Sequence, residues 1–260
     1  MKKFVALLLA ALMVASLCAC GQKGTGSDLQ TVTKGKLIMS TNAEFAPYEY
    51  VADDGKGFQG TGYEGIDIEI AYALAQKLGL ELVVDNMDFD AALSAVQTGK
   101  SDMVAAGVTV TPDRLNAMSF TDSYANGVQV VIVKEGSDIK SIDDLQGKKI
   151  GTQRGTTGFT YCSDDFGDDN VIGFDDGATA VQNLKAGKID CVVIDNVPAQ
   201  EYVKANPGLT ILDTEYANED YAIGIAKDNT ALQEALNKAL AELKADGTIQ
   251  SIIDKYIPAK

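Results

Sequence analysis

Apolar and polar positions follow one another along the chain in two recurring patterns. Short uninterrupted apolar runs predict buried strands, and stretches whose apolar residues recur every three or four positions predict helices. The predicted strands span residues 37–39, 82–84, 103–106, 128–133, 149–152, 171–174, 189–194 and 221–226. The predicted helices span 65–78, 91–98, 141–145, 197–205, 231–245 and 249–256, and another opens at 155–158. Alternating strands and helices at this spacing predict the α/β class, with parallel sheets flanked by helices.

Several predicted helices begin beside a polar residue that can accept a hydrogen bond from the first helical turn. Short polar side chains of this kind are the usual N-caps of helices. We predict this role for Asp67, Asp90, Thr111, Asn196 and Thr230.

One unit of the pattern occurs twice. A helix, a Gly-Lys turn, an Asp and an apolar strand occupy residues 93–104 and recur at residues 181–192. The repeat predicts two lobes built on the same unit, with Gly107 and Asp195 just beyond corresponding strands. Ligands of open α/β sheets bind at the carboxyl ends of strands, so these two residues are candidates for one site. The alternative is chance similarity, because Gly-Lys and Asp are common in turns.

The stretch after the strand at 103–106 has the chemistry of a carboxylate site. Thr111 and Pro112 predict a helix start, which places Arg114 in the first turn. That corner combines free backbone N–H groups, the positive end of a helix dipole and a guanidinium that can grip a carboxylate with two hydrogen bonds. The alternative is a solvated arginine at a helix end.

The amino terminus predicts export and a lipid anchor. Lys2 and Lys3 precede an apolar run at 4–17, which is the layout of a secretory signal and too short to span a bilayer. Residues 17–20 resemble the lipobox of bacterial lipoproteins, so we predict a signal peptide at 1–19 and lipidation of Cys20. Residues 20–36 then form the anchor and a flexible tether. The alternative is a plain secreted protein cut nearby.

Composition removes several classes of function. The chain of 260 residues contains no histidine, which excludes His-based catalytic triads and histidine metal sites. Without the two signal lysines the chain holds 20 basic and 37 acidic residues, a net charge of −17. This charge argues against binding nucleic acid or anionic lipid. Cys162 and Cys191 remain outside the signal segment, and their spacing leaves a disulfide open.

Five motifs in order resemble one family. They are Phe45–Glu49, Gly65–Ile70, Thr109–Arg114, Gly155–Thr157 and Ile189–Asp195. The chain thereby resembles the polar-amino-acid substrate-binding proteins of ABC transporters, family 3 of the bacterial extracellular solute-binding proteins. The resemblance implies a type II periplasmic-binding-protein-like fold of two lobes, each a sheet flanked by helices, with a two-strand hinge. Lobe 1 would comprise residues 37–126 and 221–260, and lobe 2 residues 127–220.

The resemblance also implies which residues hold the ligand's head group. Arg114 matches the arginine that binds the α-carboxylate, with backbone N–H groups of Thr109 and Thr157 as further donors. Asp195 matches the acid that binds the α-ammonium, helped by the carbonyl of Gly107.

The ligand's side chain is less well specified by the family pattern. Phe45 and Phe89 match positions that flank it, although either could be an ordinary core residue. Asn42 stands where relatives that bind cationic amino acids often carry Asp, which weakens the case for such a ligand. Two residues near the lobe 2 loop, Gln153 and Tyr161, are further candidates for contact with the side chain. Glu44 could supply a negative charge but is expected to face solvent.

We therefore expect an extracytoplasmic, lipid-anchored protein that captures a free amino acid and passes it to a permease and ATPase. We expect a monomer that needs no cofactor and no metal. One alternative is a cleft enzyme resembling dehydratases of the same fold, with Glu44 as the first candidate for a general acid. A second alternative is a ligand-sensing subunit for a receptor.

Overall fold

The computed structural model describes residues 29–258, so several predictions fall outside it. The signal peptide, Cys20 and half of the proposed tether lie among residues 1–28. Within the described part of the chain, no helix is both long enough and apolar enough to cross a bilayer.

The described chain consists of alternating strands and helices. The strands are β1 (Lys36–Thr41), β2 (Glu44–Phe45), β3 (Glu49–Val51), β4 (Tyr63–Glu64), β5 (Glu81–Asn86), β6 (Met103–Val104), β7 (Met118–Phe120), β8 (Ala125–Lys134), β9 (Ile150–Gln153), β10 (Val171–Phe174), β11 (Cys191–Asp195), β12 (Leu209–Ile211), β13 (Ala217–Tyr221) and β14 (Gly224–Ala226). The α-helices are α1 (Ile66–Leu78), α2 (Phe89–Gln97), α3 (Pro112–Ala117), α4 (Thr157–Phe166), α5 (Gly177–Lys185), α6 (Asn196–Ala205), α7 (Thr230–Ala245) and α8 (Thr248–Tyr256). Short 3-10 turns occupy Phe58–Gly60, Ile142–Leu145 and Asp168–Asn170.

Lobe 1 is built on a five-stranded sheet in the order β5-β1-β6-β14-β7. Strands β5, β1 and β6 run parallel, and β14 and β7 add antiparallel pairs. The apolar faces of α1, α7 and α8 cover one side of the sheet and include Leu74, Leu236 and Ile249. Helix α2 covers the other side through Leu93 and Val96. Burial on both faces explains why these strands are continuous apolar runs.

Lobe 2 is built on a six-stranded sheet in the order β10-β9-β11-β8-β12, with β13 also pairing with β8. Helices α5 and α6 pack on one face through residues such as Leu184 and Ala199. Helix α4 packs on the other face, where Cys162 and Cys191 lie buried in one apolar cluster. Both cysteines are free thiols, and burial raises the pKa of the Cys162 thiol to about 12. At neutral pH such a thiol stays protonated and unreactive.

Two neighbouring strands carry the chain between the lobes. It leaves the lobe 1 sheet after β7 through β8, and it returns through β13 into β14. The two crossing strands pair antiparallel, with Asn126 opposite Asp220, and the Asn126 amide donates to the Asp220 carboxylate at 2.7 Å. The two-lobe α/β fold with a two-strand hinge, predicted from the sequence, is confirmed.

Most of the predicted N-caps are wrong by one or two residues. Thr111 does cap α3, since its hydroxyl accepts from the Arg114 N–H at 3.2 Å. Helices α2, α6 and α7 instead begin after Asp88, Asp195 and Asn229, replacing the predicted Asp90, Asn196 and Thr230. Each of these helix starts has a second polar residue nearby, and which one is the N-cap depends on the local backbone conformation.

Asp67 is also not a cap. The first N–H groups of α1 donate to backbone carbonyls, from Ile66 to Pro47 at 3.1 Å and from Asp67 to Tyr48 at 2.9 Å. The Asp67 side chain is therefore free to point into the interior.

Other differences concern short strands. No strand was predicted between residues 39 and 65, yet this segment contains the three-stranded antiparallel sheet β2-β3-β4. The strand predicted at 221–226 divides into the end of β13 and β14. Strands of two or three residues are too short to show a period in sequence.

The two Gly-Lys-x-Asp units play the same part in both lobes. The Asp102 carboxylate accepts from the Ile38 N–H at 2.7 Å and from the Val32 N–H at 2.7 Å, where the chain enters β1. In lobe 2, the Asp190 carboxylate accepts from the Lys149 N–H at 2.8 Å, just before β9. Each Asp thus fixes the start of the neighbouring parallel strand.

Candidate functional site

A cleft between the lobes collects all nine residues that the sequence predicted for ligand binding. They are Asn42, Phe45, Phe89, Gly107, Thr109, Arg114, Gln153, Thr157 and Asp195. The space between the cleft walls, including the part open to solvent, is about 470 Å³. The residues meet because β1, β6, β9 and β11 all end at this cleft, as expected for the carboxyl ends of strands in open α/β sheets.

Arg114 spans the two lobes at one end of the cleft. Its guanidinium donates to the Thr109 carbonyl at 2.9 Å and to the Gly155 carbonyl of lobe 2 at 3.0 Å. The guanidinium carbon lies 5.5 Å from the centre of the Phe89 ring, which is a cation–π distance. Partial burial lowers the pKa of Arg114, an effect that the nearby Glu219 carboxylate opposes. The side chain remains charged, because an arginine is not deprotonated in proteins.

The helix dipole contributes less at this corner than the sequence suggested. Helix α3 has only six residues, so few peptide dipoles are aligned behind the site. The guanidinium itself and the helix start at Thr157 are the main donors available to an anion. The hydroxyls of Thr109 and Thr157 face each other across the cleft at 3.5 Å.

Asp195 supplies the negative charge from lobe 2. It ends β11, is 1% exposed and caps α6 by accepting from the Val197 N–H at 2.9 Å. It also accepts from the Val128 N–H at 2.9 Å and from the Tyr221 hydroxyl at 3.0 Å. Burial raises the pKa of Asp195 to about 6, and these hydrogen bonds limit the rise. A cation beside Asp195 would relieve the cost of keeping this buried carboxylate ionised.

Two amide side chains join the lobes elsewhere in the cleft. The Gln153 Nε2 of lobe 2 donates to Asn42 Oδ1 at 2.9 Å and to the Asp175 carbonyl at 3.0 Å. Asn42 in turn donates to the Met87 carbonyl at 3.1 Å. These hydrogen bonds fix the orientation of both amide groups in the cleft.

Phe45 and the glycines set how closely the walls approach. The half-buried Phe45 ring stacks on Tyr48 at 5.6 Å and packs against the cores of both lobes. Gly107 has φ of +54°, and a Cβ there would lie 2.9 Å from the Phe45 ring. Gly155 has φ of +73°, and a Cβ there would lie 1.5 Å from the Asp90 carboxylate of lobe 1. A side chain at Gly155 would therefore be strained by the positive φ and would require the exposed Asp90 side chain to move.

Two candidates from the sequence lie outside the cleft lining. Glu44 is exposed, as expected, and its carboxyl pKa is raised by partial burial and by Asp176 and Asp88. The enzyme alternative required this residue in the cleft. Tyr161 lines a separate surface pocket, which Arg114 also borders.

Several cleft residues were missed by sequence reasoning. The polar ones are Glu49, Gln129, Thr156 and Tyr221. Gln129 donates to the buried Glu219 carboxylate at 2.9 Å, which connects the cleft to the crossing strands. Glu49 is the last residue of the Phe45–Glu49 motif, and its place in that motif is the sequence signal that could have identified it as a cleft residue.

Known proteins resemble this chain in both sequence and fold. A family model described as bacterial extracellular solute-binding proteins, family 3, matches residues 37–259. The arginine-binding extracellular protein ArtP of Bacillus subtilis is 34% identical, over 98% of this chain and 98% of the relative. A probable histidine-binding protein of Neisseria gonorrhoeae is 34% identical, over 98% and 96%. A solved structure of an ancestral arginine-binding protein bound to glutamine has a TM-score of 0.80 and 40% identity, covering 87% of this chain and 100% of that one.

Proposed function

Because the chain belongs to family 3 of the bacterial extracellular solute-binding proteins, we propose that it captures a free polar amino acid and delivers it to an ABC importer. The observation that carries the proposal is the pairing of charges in the cleft. Arg114 comes from lobe 1 and Asp195 from lobe 2, and both line the same cleft. A free amino acid carries one carboxylate and one ammonium, so each end of its head group meets an opposite charge.

The proposed mechanism is lobe closure about the crossing strands β8 and β13. The ligand carboxylate would dock first on Arg114, and lobe 2 would then bring Asp195 and Thr157 onto the head group. In this proposal residues 37–126 and 221–260 move as one body and residues 127–220 as the other. The bonds from Arg114 to Gly155 and from Gln153 to Asn42 support it, because each joins the two bodies across the cleft.

The class of ligand side chain follows from the remaining cleft residues. Phe45 and Phe89 offer apolar surfaces for an alkyl stem or a flat polar group. The Asn42–Gln153 amides offer hydrogen bonds to an uncharged or a cationic polar group. The relatives described above are named for arginine and histidine, and one is bound to glutamine. We therefore propose a polar ligand that is neutral or cationic.

The location is proposed from the amino-terminal pattern. Cleavage before Cys20 and lipidation of that residue would hold the protein on the outer face of the cytoplasmic membrane, where a permease is within reach. The single cleft contains both charge partners within one chain, so the proposed unit of function is a monomer. Mass spectrometry of the intact mature protein would detect the lipid on Cys20.

The function is tested by identifying and titrating the ligand. Mass spectrometry of the native protein would identify a co-purifying amino acid, and calorimetry with a panel of L-amino acids would rank the affinities. We expect a dissociation constant of about 1 μM or below for the best ligand, which corresponds to about −8 kcal/mol. The proposal fails if no amino acid in the panel binds, or if blocking the ligand's α-carboxylate and α-ammonium leaves affinity unchanged.

Asn42→Asp is expected to shift preference toward cationic ligands. The substitution keeps the acceptor for Gln153 and adds a charge, but it removes the hydrogen bond to the Met87 carbonyl. Hydrogen bonds to charged groups are stronger than neutral ones by roughly 1 kcal/mol, so the ratio of arginine to glutamine affinity should rise about fivefold to tenfold. Calorimetry with both ligands measures this ratio.

The control for net charge is Asn183→Asp, which adds the same charge on helix α5 outside the cleft lining. It should leave the ratio unchanged. Equal ratios for the Asn42→Asp variant and the wild-type protein would remove Asn42 from the specificity role.

A further inference from the structure

A pair of buried acids lies beneath one wall of the cleft. Glu49 on β3 lines the cleft, and Asp67 lies in the first turn of α1. Each residue is only 1% exposed, and the two carboxyl groups lie close enough to interact directly. Neither acid is used in the head-group arrangement described above.

The close approach of α1 to the small sheet brings these acids together. Gly65, which precedes the helix, has φ of +126°, and a Cβ there would lie 2.2 Å from the Tyr48 carbonyl oxygen. The Asp67 N–H donates to this same carbonyl. The helix start is therefore pressed against β3, and the Asp67 side chain is carried to the side chain of the next residue, Glu49.

The hydrogen bonds that the described residues make to the pair leave three of its four carboxylate oxygens without a donor. Asp67 Oδ2 accepts from the Gly107 N–H at 2.9 Å and from the Tyr124 hydroxyl at 2.8 Å. Asp67 Oδ1 and both Glu49 oxygens accept no N–H or O–H group anywhere in residues 29–258. Two buried carboxylates in contact without a cation cannot both remain ionised. A proton on Glu49, donated to Asp67 Oδ1, gives two of these three oxygens a partner and removes one charge.

The groups that face the pair do not supply a compensating positive charge. Tyr48 and Tyr124 pack against it, Gly107 offers a backbone N–H, and the carboxylate of Asp195 acts on Tyr48 from lobe 2. Glu69, farther along α1, has its own partners in Lys255 and Tyr256. None of the ion pairs found between residues 29 and 258 includes Glu49 or Asp67.

The expected titration of the pair agrees with this arrangement. Burial raises the pKa of Asp67 to about 6, although its hydrogen bonds oppose the rise. Burial raises the pKa of Glu49 well above its ordinary range, and the neighbouring Asp67 carboxylate raises it further. The pair therefore holds one proton at neutral pH.

We propose that Glu49 and Asp67 share one proton and that Glu49 responds to the charge of the ligand's side chain. When a cationic side chain occupies the cleft, the Glu49 O–H bond breaks, the proton passes to the solvent, and the carboxylate pairs with the cation. An uncharged side chain leaves the proton in place. The inference rests on the proposed function and adds to it a proton count that distinguishes cationic from neutral ligands.

Calorimetry in buffers of different ionisation enthalpy tests the inference on the wild-type protein. The slope of the apparent binding enthalpy against the buffer's ionisation enthalpy gives the number of protons released. The probes are L-arginine and L-citrulline, which have side chains of nearly the same shape and differ in charge. At pH 7 we expect close to one proton released with arginine and none with citrulline. Equal proton numbers for the two ligands, or no release with arginine, would overturn the inference while leaving amino acid capture intact.

Glu49→Gln adds a second readout. This variant carries no titrating proton at residue 49, so proton release with arginine should disappear, and arginine affinity should fall at least tenfold relative to citrulline affinity. Glu44→Gln is the matched control, because Glu44 is an exposed acid outside the cleft lining. It should retain the wild-type proton number. Release that persists in Glu49→Gln assigns the proton to another group and refutes the pair, and failure of every polar amino acid to bind would refute the proposed function as well.

Discussion

Replacing Arg114 by alanine should abolish measurable capture of the ligand at micromolar concentrations. The guanidinium is the charged partner proposed for the α-carboxylate, and it also joins the lobes through the Gly155 carbonyl. Removing one member of a desolvated charge pair costs about 2–5 kcal/mol, which corresponds to about a 30-fold to several thousand-fold loss of affinity. Calorimetric titration of the best ligand into wild type and variant measures the loss.

The chain offers a matched control for this substitution. Arg154 is the only other arginine in the sequence, and its side chain is 51% exposed and paired with Asp175. Arg154→Ala should change affinity by less than a factor of a few, because exposed ion pairs contribute little. A ligand whose carboxylate is replaced by a carboxamide should bind the wild type and Arg114→Ala almost equally. If the two proteins bind this analogue with very different affinities, Arg114 does not act through the ligand's carboxylate.

Asp195→Asn should produce the second large effect. The substitution preserves shape and the capacity to cap α6, yet it removes the charge proposed for the α-ammonium. We expect a loss of about 2–5 kcal/mol in binding. In the wild type, binding should also weaken as the pH falls through about 6, because the buried Asp195 becomes neutral there. With an uncharged ligand, for which no proton release from Glu49 is expected, the variant should lack this dependence, since asparagine does not titrate.

A deaminated analogue of the best ligand isolates this contact. Suppose that Asp195 pairs with the α-ammonium. The losses of binding free energy from removing the ammonium and from removing the charge of Asp195 should then not be additive, and the difference from additivity measures the energy of this interaction. Thermal denaturation without ligand checks that the variant is folded. Additive losses over the four combinations would show that Asp195 acts by supporting the fold of lobe 2 and not by contacting the ligand.

Arg114 and Asp195 were accessible from sequence because local signals mark them. Each lies just beyond an apolar strand, and Thr111 with Pro112 marks a helix start beside the arginine. Parallel strands end at a common edge, so positions far apart in sequence could be assigned to one cleft. Asn42 and Gln153, which follow or end β1 and β9, were identified from the family resemblance instead.

The sequence was less informative where tertiary contacts decide the outcome. Asp67 looked like a helix cap, but the carbonyls of Pro47 and Tyr48 already accept the first N–H groups of α1. Its pairing with Glu49 depends on the turn at Gly65 and on strands of two or three residues, none of which has a recognisable period. Glu219 likewise contacts the cleft residue Gln129 only because β13 pairs with β8.

The contacts of Asp102 determine how the ligand cleft would be oriented if the protein were attached to a surface through its amino terminus. Asp102 and Asn229 hold residues 30–38 at the start of β1, whereas Asn42 at the far end of this strand lines the cleft. At about 3.3 Å per residue, the two ends lie roughly 20 Å apart. A pull on the amino terminus would therefore act on lobe 1 and not directly on lobe 2. Immobilising the protein on a sensor chip through its amino terminus should therefore orient the ligand cleft toward the solution.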